Sequence, residues 1–208
     1  MSGDLFGAPP APGLTFLPGF ALADEAALLA AAQDVAKVSP FRVMAVPSGA
    51  KMSAAVTNCG AAGWVSDRSG YRYQALDPET GAPWPEMPDV FRDLAARAAA
   101  RAGFAEFVPD VCLMNRYAPG AKMGLHQDRD EADYSAPIVS VSLGLPAVFL
   151  WGGPKRTGGA VKRPLEHGDV VVWGGAERLY FHGIGPVKPG SHPILGAVRL
   201  NLTFRRAL

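Results

Sequence analysis

The stretch "APIVSVSLGLPAVFLWGGP" (136–154) runs for nineteen residues without a charge. That is close to the length of a helix that spans a bilayer, so its reading decides what kind of protein this is. Ser140 and Ser142 alternate with apolar residues, and Gly144 and Pro146 interrupt the middle. Alternation is the period of a strand, and a Gly/Pro break is the mark of a turn. The segment therefore reads as two short buried strands, 137–143 and 147–151, joined by a turn.

Working outward, the period-two pattern holds from Phe107 onward. Further strands are expected at 109–117, 169–173, 178–182 and 197–205, separated by Gly- and Pro-rich turns. Upstream the period is helical. Over 24–38, Leu28, Leu29, Ala32, Val35 and Ala36 share one face; Asp24 can cap the start, and Ser39-Pro40 stops the helix. A second helix is expected from about Pro88 to Ala102, with Pro in its first turn, Asp93 and Arg97 as an i,i+4 pair and Gly103 as terminator. Residues 1–20, rich in Pro and Gly, are expected to drape over the body. Residues 41–86 are turn-rich and aromatic with neither period sustained, as in a functional cover. Helices followed by antiparallel strands predict an α+β protein whose C-terminal half is a jelly roll or small barrel. A single domain, 1–208, is expected, with 1–40 as extension and helix, 41–86 as cover and 87–208 as helix plus core.

Apolar residues make up 49% of the chain and the formal charge is +1, the composition of an ordinary soluble globular protein. A near-neutral chain is not a broadly basic nucleic-acid coat, although a local basic patch remains open. The start, "MSGDLFGAPPAPG", has neither a basic head nor an apolar run, so no secretory signal is read and a cytoplasmic protein is expected. Cys59 and Cys112 then read as reduced thiols. Charge balance and size make a monomer the default.

The chain has four histidines and two His-x-Asp pairs, His126-Gln-Asp128 and His167-Gly-Asp169. Two His and one carboxylate can form a facial triad with open positions, which suits non-haem Fe(II). His126 and Asp128 can grip one metal from a strand end, and His182, in "RLYFHGI", can return from a distant strand on the same face as Tyr180. The second pair fails this test: Asp169 opens the apolar strand "DVVVW", and His182 and His192 follow too closely for a comparable return, so 167–169 reads as a turn. In "AVRLNLTFRRAL", alternation puts Arg199, Asn201, Thr203 and Arg205 on one face. A solvent-facing edge strand would look the same, but such a face could also hold a dianion. Arg199 and Arg205 sit about 20 Å apart along the strand, and their two extended arms cover much of that, leaving a gap for a short dicarboxylate. Asn115 and Tyr117 share a face in "VCLMNRY" and can bond an anion's oxygens. Trp64, Tyr71 and Tyr73 could stack on a base or simply pack under a loop. Lys155, Arg156, Lys162 and Arg163 could contact phosphates or form a solvated hairpin tip.

Taken together, "NRYAPGAKMGLHQDRDE", "PIVSVSLGLPAVF", "LEHGDVVVWGG", "LYFHGI" and "RLNLTFR" resemble the AlkB family of bacterial iron- and 2-oxoglutarate-dependent DNA dealkylases, a similarity that also takes in "MSAAVTNCGAAGW" and "APWPEMP". The resemblance implies a double-stranded β-helix (jelly-roll) core and a nucleotide-recognition cover. It implies His126, Asp128 and His182 as iron ligands, and Asn115, Tyr117, Arg199, Asn201 and Arg205 as 2-oxoglutarate contacts. It implies Trp64, Tyr71, Arg72, Tyr73, Asp130 and Arg156 as substrate contacts. The activity it implies is oxidative demethylation of N1-methyladenine and N3-methylcytosine in single-stranded DNA, with double-stranded DNA and RNA as further candidates. Fe(II), 2-oxoglutarate and O2 would be used, and succinate, CO2 and formaldehyde released. The chain departs from the family pattern in its Ala/Gly/Pro-rich N-terminus, in "VPSGAK" (46–51) and in "PKRTGGAVKR" (154–163), cover and loop positions that bear on substrate preference. Two other readings stay open: the same oxygenase chemistry on another substrate, and a non-catalytic jelly-roll module that binds an anion.

Overall fold

A computed structural model describes residues 13–208. In chain order the strands are β1 (Leu14–Leu17), β2 (Ala55–Gly60), β3 (Gly63–Asp67), β4 (Gly70–Gln74), β5 (Val111–Tyr117), β6 (Met123–His126), β7 (Ile138–Gly144), β8 (Ala147–Trp151), β9 (Val161–Leu165), β10 (Val170–Trp173), β11 (His182–Ile184) and β12 (Arg199–Arg205). The helices are α1 (Glu25–Val38) and α2 (Asp89–Arg101). Six strands form one sheet in the order β1-β10-β7-β12-β5-β2, and four form another, β6-β11-β8-β9. β3 and β4 make a separate hairpin. All of these pairings are antiparallel.

This layering explains the uncharged stretch. One face of the six-stranded sheet, with Val139, Val141, Leu202 and Phe204, packs on Leu28, Leu29 and Val35 of α1 and Phe91 and Leu94 of α2. Strands β7 and β12 have no exposed residue, so β7 reads as a continuous buried run. Each large apolar side chain so buried contributes roughly 1.5–3 kcal/mol. The break at Gly144 carries the chain from β7 in one sheet to β8 in the other. Gly144 has φ +85°, and a Cβ there would come within 2.3 Å of the Val198 carbonyl oxygen, so the turn requires glycine. Among the described residues no helix is long and apolar enough to cross a membrane.

Several expectations change. Residues 14–17 of the supposed drape are β1, an edge strand paired with β10; residues 1–12 lie outside the described ones. The cover is not irregular throughout, because 55–60 joins the large sheet as β2 and 63–74 is the β3–β4 hairpin. Strands β6 and β9 were not expected. Residues 178–181 are not a strand: a 3-10 turn covers Gly175–Glu177, and only His182–Ile184 pairs. Asp24 precedes α1 but makes no side-chain cap. Its carboxylate instead takes the guanidinium of Arg97 at 2.5 Å, which displaces the expected Asp93–Arg97 pair. Tertiary pairing between helices has overridden the within-helix one.

Candidate active site

The polar face of β12 is set by register. Tyr117, Arg199 and Gly144 lie abreast on β5, β12 and β7; Asn115, Asn201 and Ser142 form the next row, then Leu113, Thr203 and Ser140. With the opposite face already committed to the helices, this one faces a cavity of about 730 Å³ toward the smaller sheet, lined by Asn115, Tyr117, Ser140, Asn201, Thr203 and Arg205 among others. Asn201 is held by four polar neighbours, one of them Asn115, whose Nδ2 donates to Asn201 Oδ1 at 3.4 Å. The Asn201 amide nitrogen donates to Ser140 Oγ at 2.8 Å and to the Val141 carbonyl at 2.9 Å, and its Oδ1 accepts from Thr203 Oγ1 at 2.8 Å.

The same cavity is lined by His126, Asp128 and His182. Strands β6 and β11 place His126 directly opposite His182, with ring centroids 4.5 Å apart and planes at 55°. His126 Nε2 lies 3.4 Å from Asp128 Oδ1, and His182 Nε2 lies 3.7 Å from Oδ2. The tautomers follow from the backbone. His126 Nδ1 donates to the Gly124 carbonyl at 2.9 Å, and His182 Nδ1 to the Tyr180 carbonyl at 3.0 Å. A carbonyl only accepts, so Nδ1 bears the hydrogen in both rings and both Nε2 lone pairs are free. The three ligand atoms lie within 4.8 Å of one another. Two neutral Nε2 donors and a carboxylate fit Fe(II) with open coordination positions.

Electrostatics hold Asp128 and His182 in ligand form, and tie His126 to the Asp128 carboxylate. Burial alone would raise the Asp128 carboxyl, but Arg205, His182 and His126 outweigh it and hold the group well below the usual carboxylate range. Burial, reinforced by repulsion from His126, lowers His182 from 6.5 to about 4. Burial also opposes charge on His126, yet its hydrogen bond to Asp128 wins and the net shift is upward. Arg205 grips Asp128 Oδ2 through Nη2 at 2.6 Å and Nε at 3.0 Å, a charge-assisted contact that fixes the carboxylate's orientation.

Arg199 is 1% exposed, and its Nη2 donates to Ser142 Oγ at 3.0 Å. Its Nε and Nη1, together with Arg205 Nη1 and Asn115 Oδ1, are buried without a protein partner. Burial lowers the pKa of Arg199. An uncompensated buried guanidinium costs several kcal/mol, so the orphaned arginine N–H groups fit a site whose carboxylate comes from a ligand.

Two residues beyond the expected set complete the centre. Glu131 accepts from Tyr73 Oη at 3.0 Å and pairs with Arg205 Nε at 3.1 Å. Arg178 donates to the Asp128 carbonyl at 2.8 Å and the Ala136 carbonyl at 3.0 Å, and reaches Glu131 at 3.4 Å. Glu131 lies within the acid-rich stretch after His126; nothing local marks Arg178. On the cover, alternation in the β3–β4 hairpin turns Trp64, Tyr71 and Tyr73 to the cavity. Trp64 and Tyr71 stack with centroids 5.5 Å apart at 14°, and Trp64 Nε1 donates to Asp130 at 2.9 Å. Arg72 does not join them. It pairs across with Val65 on the other face and is engaged by Asp67 and Gln74. Exposed Arg156 lines the cavity, with exposed Lys51, Lys122 and Arg129.

A second His/His/carboxylate group exists: Glu25, His167 and His192, again within 4.8 Å. His192 does return to His167, contrary to the spacing argument. His167-Gly-Asp169 is nonetheless a turn. The tautomers here are reversed. His167 Nδ1 accepts the Gly144 N–H at 2.8 Å, and His192 Nδ1 accepts the N–H groups of Ile194 and Leu195 at 3.3 Å each. Both Nε2 atoms therefore carry hydrogen in the neutral rings, and the rings stack at 4.3 Å and 28° rather than converge on a point.

Residues 13–205 match the model of the 2OG-Fe(II) oxygenase superfamily. The chain is 55% identical over 199 residues to the alpha-ketoglutarate-dependent dioxygenase AlkB of Escherichia coli K12, covering 96% of this chain and 92% of that protein. The chain belongs to the AlkB family. A Caulobacter vibrioides AlkB homolog is 44% identical over 198 residues, 94% of this chain and 88% of its own length. Among solved structures, that of OsALKBH1 superposes with a TM-score of 0.81 at 32% identity, covering 95% of this chain and 100% of that one. This AlkB-family chain is an Fe(II)- and 2-oxoglutarate-dependent dioxygenase using O2, its core is a jelly roll, and it acts on nucleic acid in oxidative dealkylation repair of DNA.

Proposed function

We propose that the cavity receives a single N1-methyladenine or N3-methylcytosine extruded from single-stranded DNA, with His126, Asp128 and His182 holding iron and with Asn115, Tyr117, Arg199, Asn201 and Arg205 holding 2-oxoglutarate. The observation that carries this reading is one cavity lined by a tautomer-locked His/Asp/His set, by Arg205 with its unpartnered Nη1, and by a stacked aromatic pair tied to an acid. Both methylated bases are cations at neutral pH. Asp130, anchored by Trp64, supplies the opposing charge, and the Trp64–Tyr71 platform offers a face for stacking. Lys51, Lys122, Arg129 and Arg156 are exposed around the cavity and suit the phosphates on either side of a flipped nucleotide. Single strands need no unpairing before extrusion, which favours them as substrate. A monomer in the cytoplasm is the proposed setting.

Iron held by His126, Asp128 and His182 would, with 2-oxoglutarate and O2, supply the oxidation of the N-methyl carbon that leads to formaldehyde, succinate and CO2. The chain's own contribution is placement. Arg205 holds Asp128, Arg178 holds the backbone of that residue, and the Gly124 and Tyr180 carbonyls hold the two imidazoles. Arg199 supplies a dry cationic end that a carboxylate completes.

The test is mass spectrometry of a single-stranded oligonucleotide with one 3-methylcytosine, incubated with protein, Fe(II), ascorbate and O2, with and without 2-oxoglutarate. Loss of one methylene mass only when 2-oxoglutarate is present is the expected result. Succinate formation with an unchanged oligonucleotide would overturn the substrate and leave the oxygenase.

A further inference from the structure

His167 is not at the iron centre, yet its ring is built into the strand that supports Arg199. The ladder between β10 and β7 continues past Val170: the Ser142 N–H donates to the Asp169 carbonyl at 2.9 Å, and the Gly168 N–H donates to the Ser142 carbonyl at 2.8 Å. The next β7 amide to need an acceptor is Gly144. The chain has turned at Gly168, φ +88°, and the acceptor supplied is the imidazole Nδ1 of His167, at 2.8 Å.

What this ladder holds is one wall of the anion site. Ser142 Oγ takes Arg199 Nη2 at 3.0 Å, and Gly144 lies directly opposite Arg199 in register. Leu145, next in the chain, donates to the Val198 carbonyl at 2.9 Å, so the turn is pinned to the residue before Arg199 as well. His167 is itself fixed from two sides. Glu25 Oε1 of α1 lies 3.1 Å from its Nε2, and the His192 ring stacks on it. The turn is further locked by the Asp169 carboxylate, which accepts from the Gly19 and Glu166 amides at 2.8 Å each.

The reversed tautomer gives this arrangement its meaning. A ring whose Nδ1 lone pair is spent on a backbone amide, and whose Nε2 lies 3.1 Å from Glu25 Oε1 without a hydrogen bond, is fixed through its acceptor end and is not a metal ligand. We infer that His167, clamped by Glu25 and His192, is a positioning residue for 2-oxoglutarate: it sets the end of β7 so that Ser142 presents Arg199 with its free N–H groups aimed at the ligand carboxylate. This rests on the reading of Arg199 as a 2-oxoglutarate contact.

The experiment is equilibrium binding of 2-oxoglutarate to the full chain loaded with Mn(II), which binds without turnover. Two substitutions separate hydrogen bonding from packing. His167→Phe keeps a ring to stack on His192 but offers no acceptor; His167→Asn loses the ring but keeps an oxygen at the reach of Nδ1. The expected result for His167→Phe is about tenfold weaker 2-oxoglutarate binding, the effect of one buried donor left unmade, with Mn(II) affinity unchanged. His167→Asn should stay within about twofold of the parent. Arg199→Ala is the control for the underlying reading and should lose 2-oxoglutarate binding. If Arg199→Ala loses it while His167→Phe binds normally, or if Asn fails where Phe succeeds, the positioning role is wrong and the anion site stands. Normal binding by Arg199→Ala would overturn the anion site and the inference with it.

Discussion

His126, Asp128 and His182 match Glu25, His167 and His192 in side-chain type, and both groups gather their ligand atoms within 4.8 Å. Only one of them can hold iron with neutral imidazoles. The difference lies in the backbone groups that meet Nδ1. Carbonyls of Gly124 and Tyr180 fix the hydrogen on Nδ1 and free Nε2; amides of Gly144, Ile194 and Leu195 do the reverse. A metal site is thus specified as much by its carbonyls as by its ligands. Composition and proximity alone would have counted two.

The hardest test of that distinction is to make the same substitution in both groups. His182→Asn can keep a donor for the Tyr180 carbonyl but has no atom at Nε2, so iron binding and turnover should fall to background. His167→Asn should retain the full iron complement. Asp128→Ala should match His182→Asn while the fold, followed by circular dichroism, is preserved. Metal content by atomic emission checks all three, and one iron per chain is expected in the parent. A second equivalent, lost on Glu25→Gln, would break the comparison.

A smaller effect is expected one shell out. Arg178 holds the Asp128 and Ala136 carbonyls and faces Glu131. Arg178→Ala should cost about 10–100-fold in iron affinity or turnover, as for other residues that orient a ligand, and should leave two buried carbonyl acceptors unpaired. Smaller again is Trp64→Phe, which keeps the stack on Tyr71 and removes the 2.9 Å bond to Asp130. KM for a 3-methylcytosine oligonucleotide should rise by about fivefold, equivalent to roughly 1 kcal/mol for a partly exposed hydrogen bond, with 2-oxoglutarate binding unchanged. An unchanged KM would remove Asp130 from substrate recognition.

What could be read before any coordinates divides along the same line. His126, Asp128 and His182 and the polar face of β12 were legible because strand alternation and chemical type are local properties. The uncharged run resolved into β7 and β8 for the same reason. Arg178 was not legible: it lies in a connection that reads as a strand, and its role depends on carbonyls from residues 128 and 136. Arg72 was placed among the substrate contacts by the family resemblance, and β4 pairing turns it away. The short strands of the cover escaped because turn residues dominate 41–86 and pairing with β5 and β3 supplies what propensity does not. The Glu25–His167–His192 group needed three distant segments, and its tautomers needed the backbone.

The least of the expected effects concerns that group and pH. Burial lowers the His192 pKa below 6.5, and the neighbouring His167 ring adds to the shift against the opposing pull of Glu25. The unfolded chain therefore binds a proton at this position more readily than the folded one does. From about pH 6.5 downward to the depressed folded value, unfolding is favoured by each proton taken up, so this contribution to stability is present above the window and lost as pH falls through it. His182 titrates in the same range, and a single melting curve would merge the two. The difference between the parent and His192→Asn isolates the group: the parent's advantage in the metal-free protein should shrink between about pH 7.5 and about pH 5.5. A gap that widens on acidification would mean that Glu25 dominates and that His192 is held charged in the fold. The group would then be an ion-pair clasp rather than a neutral one.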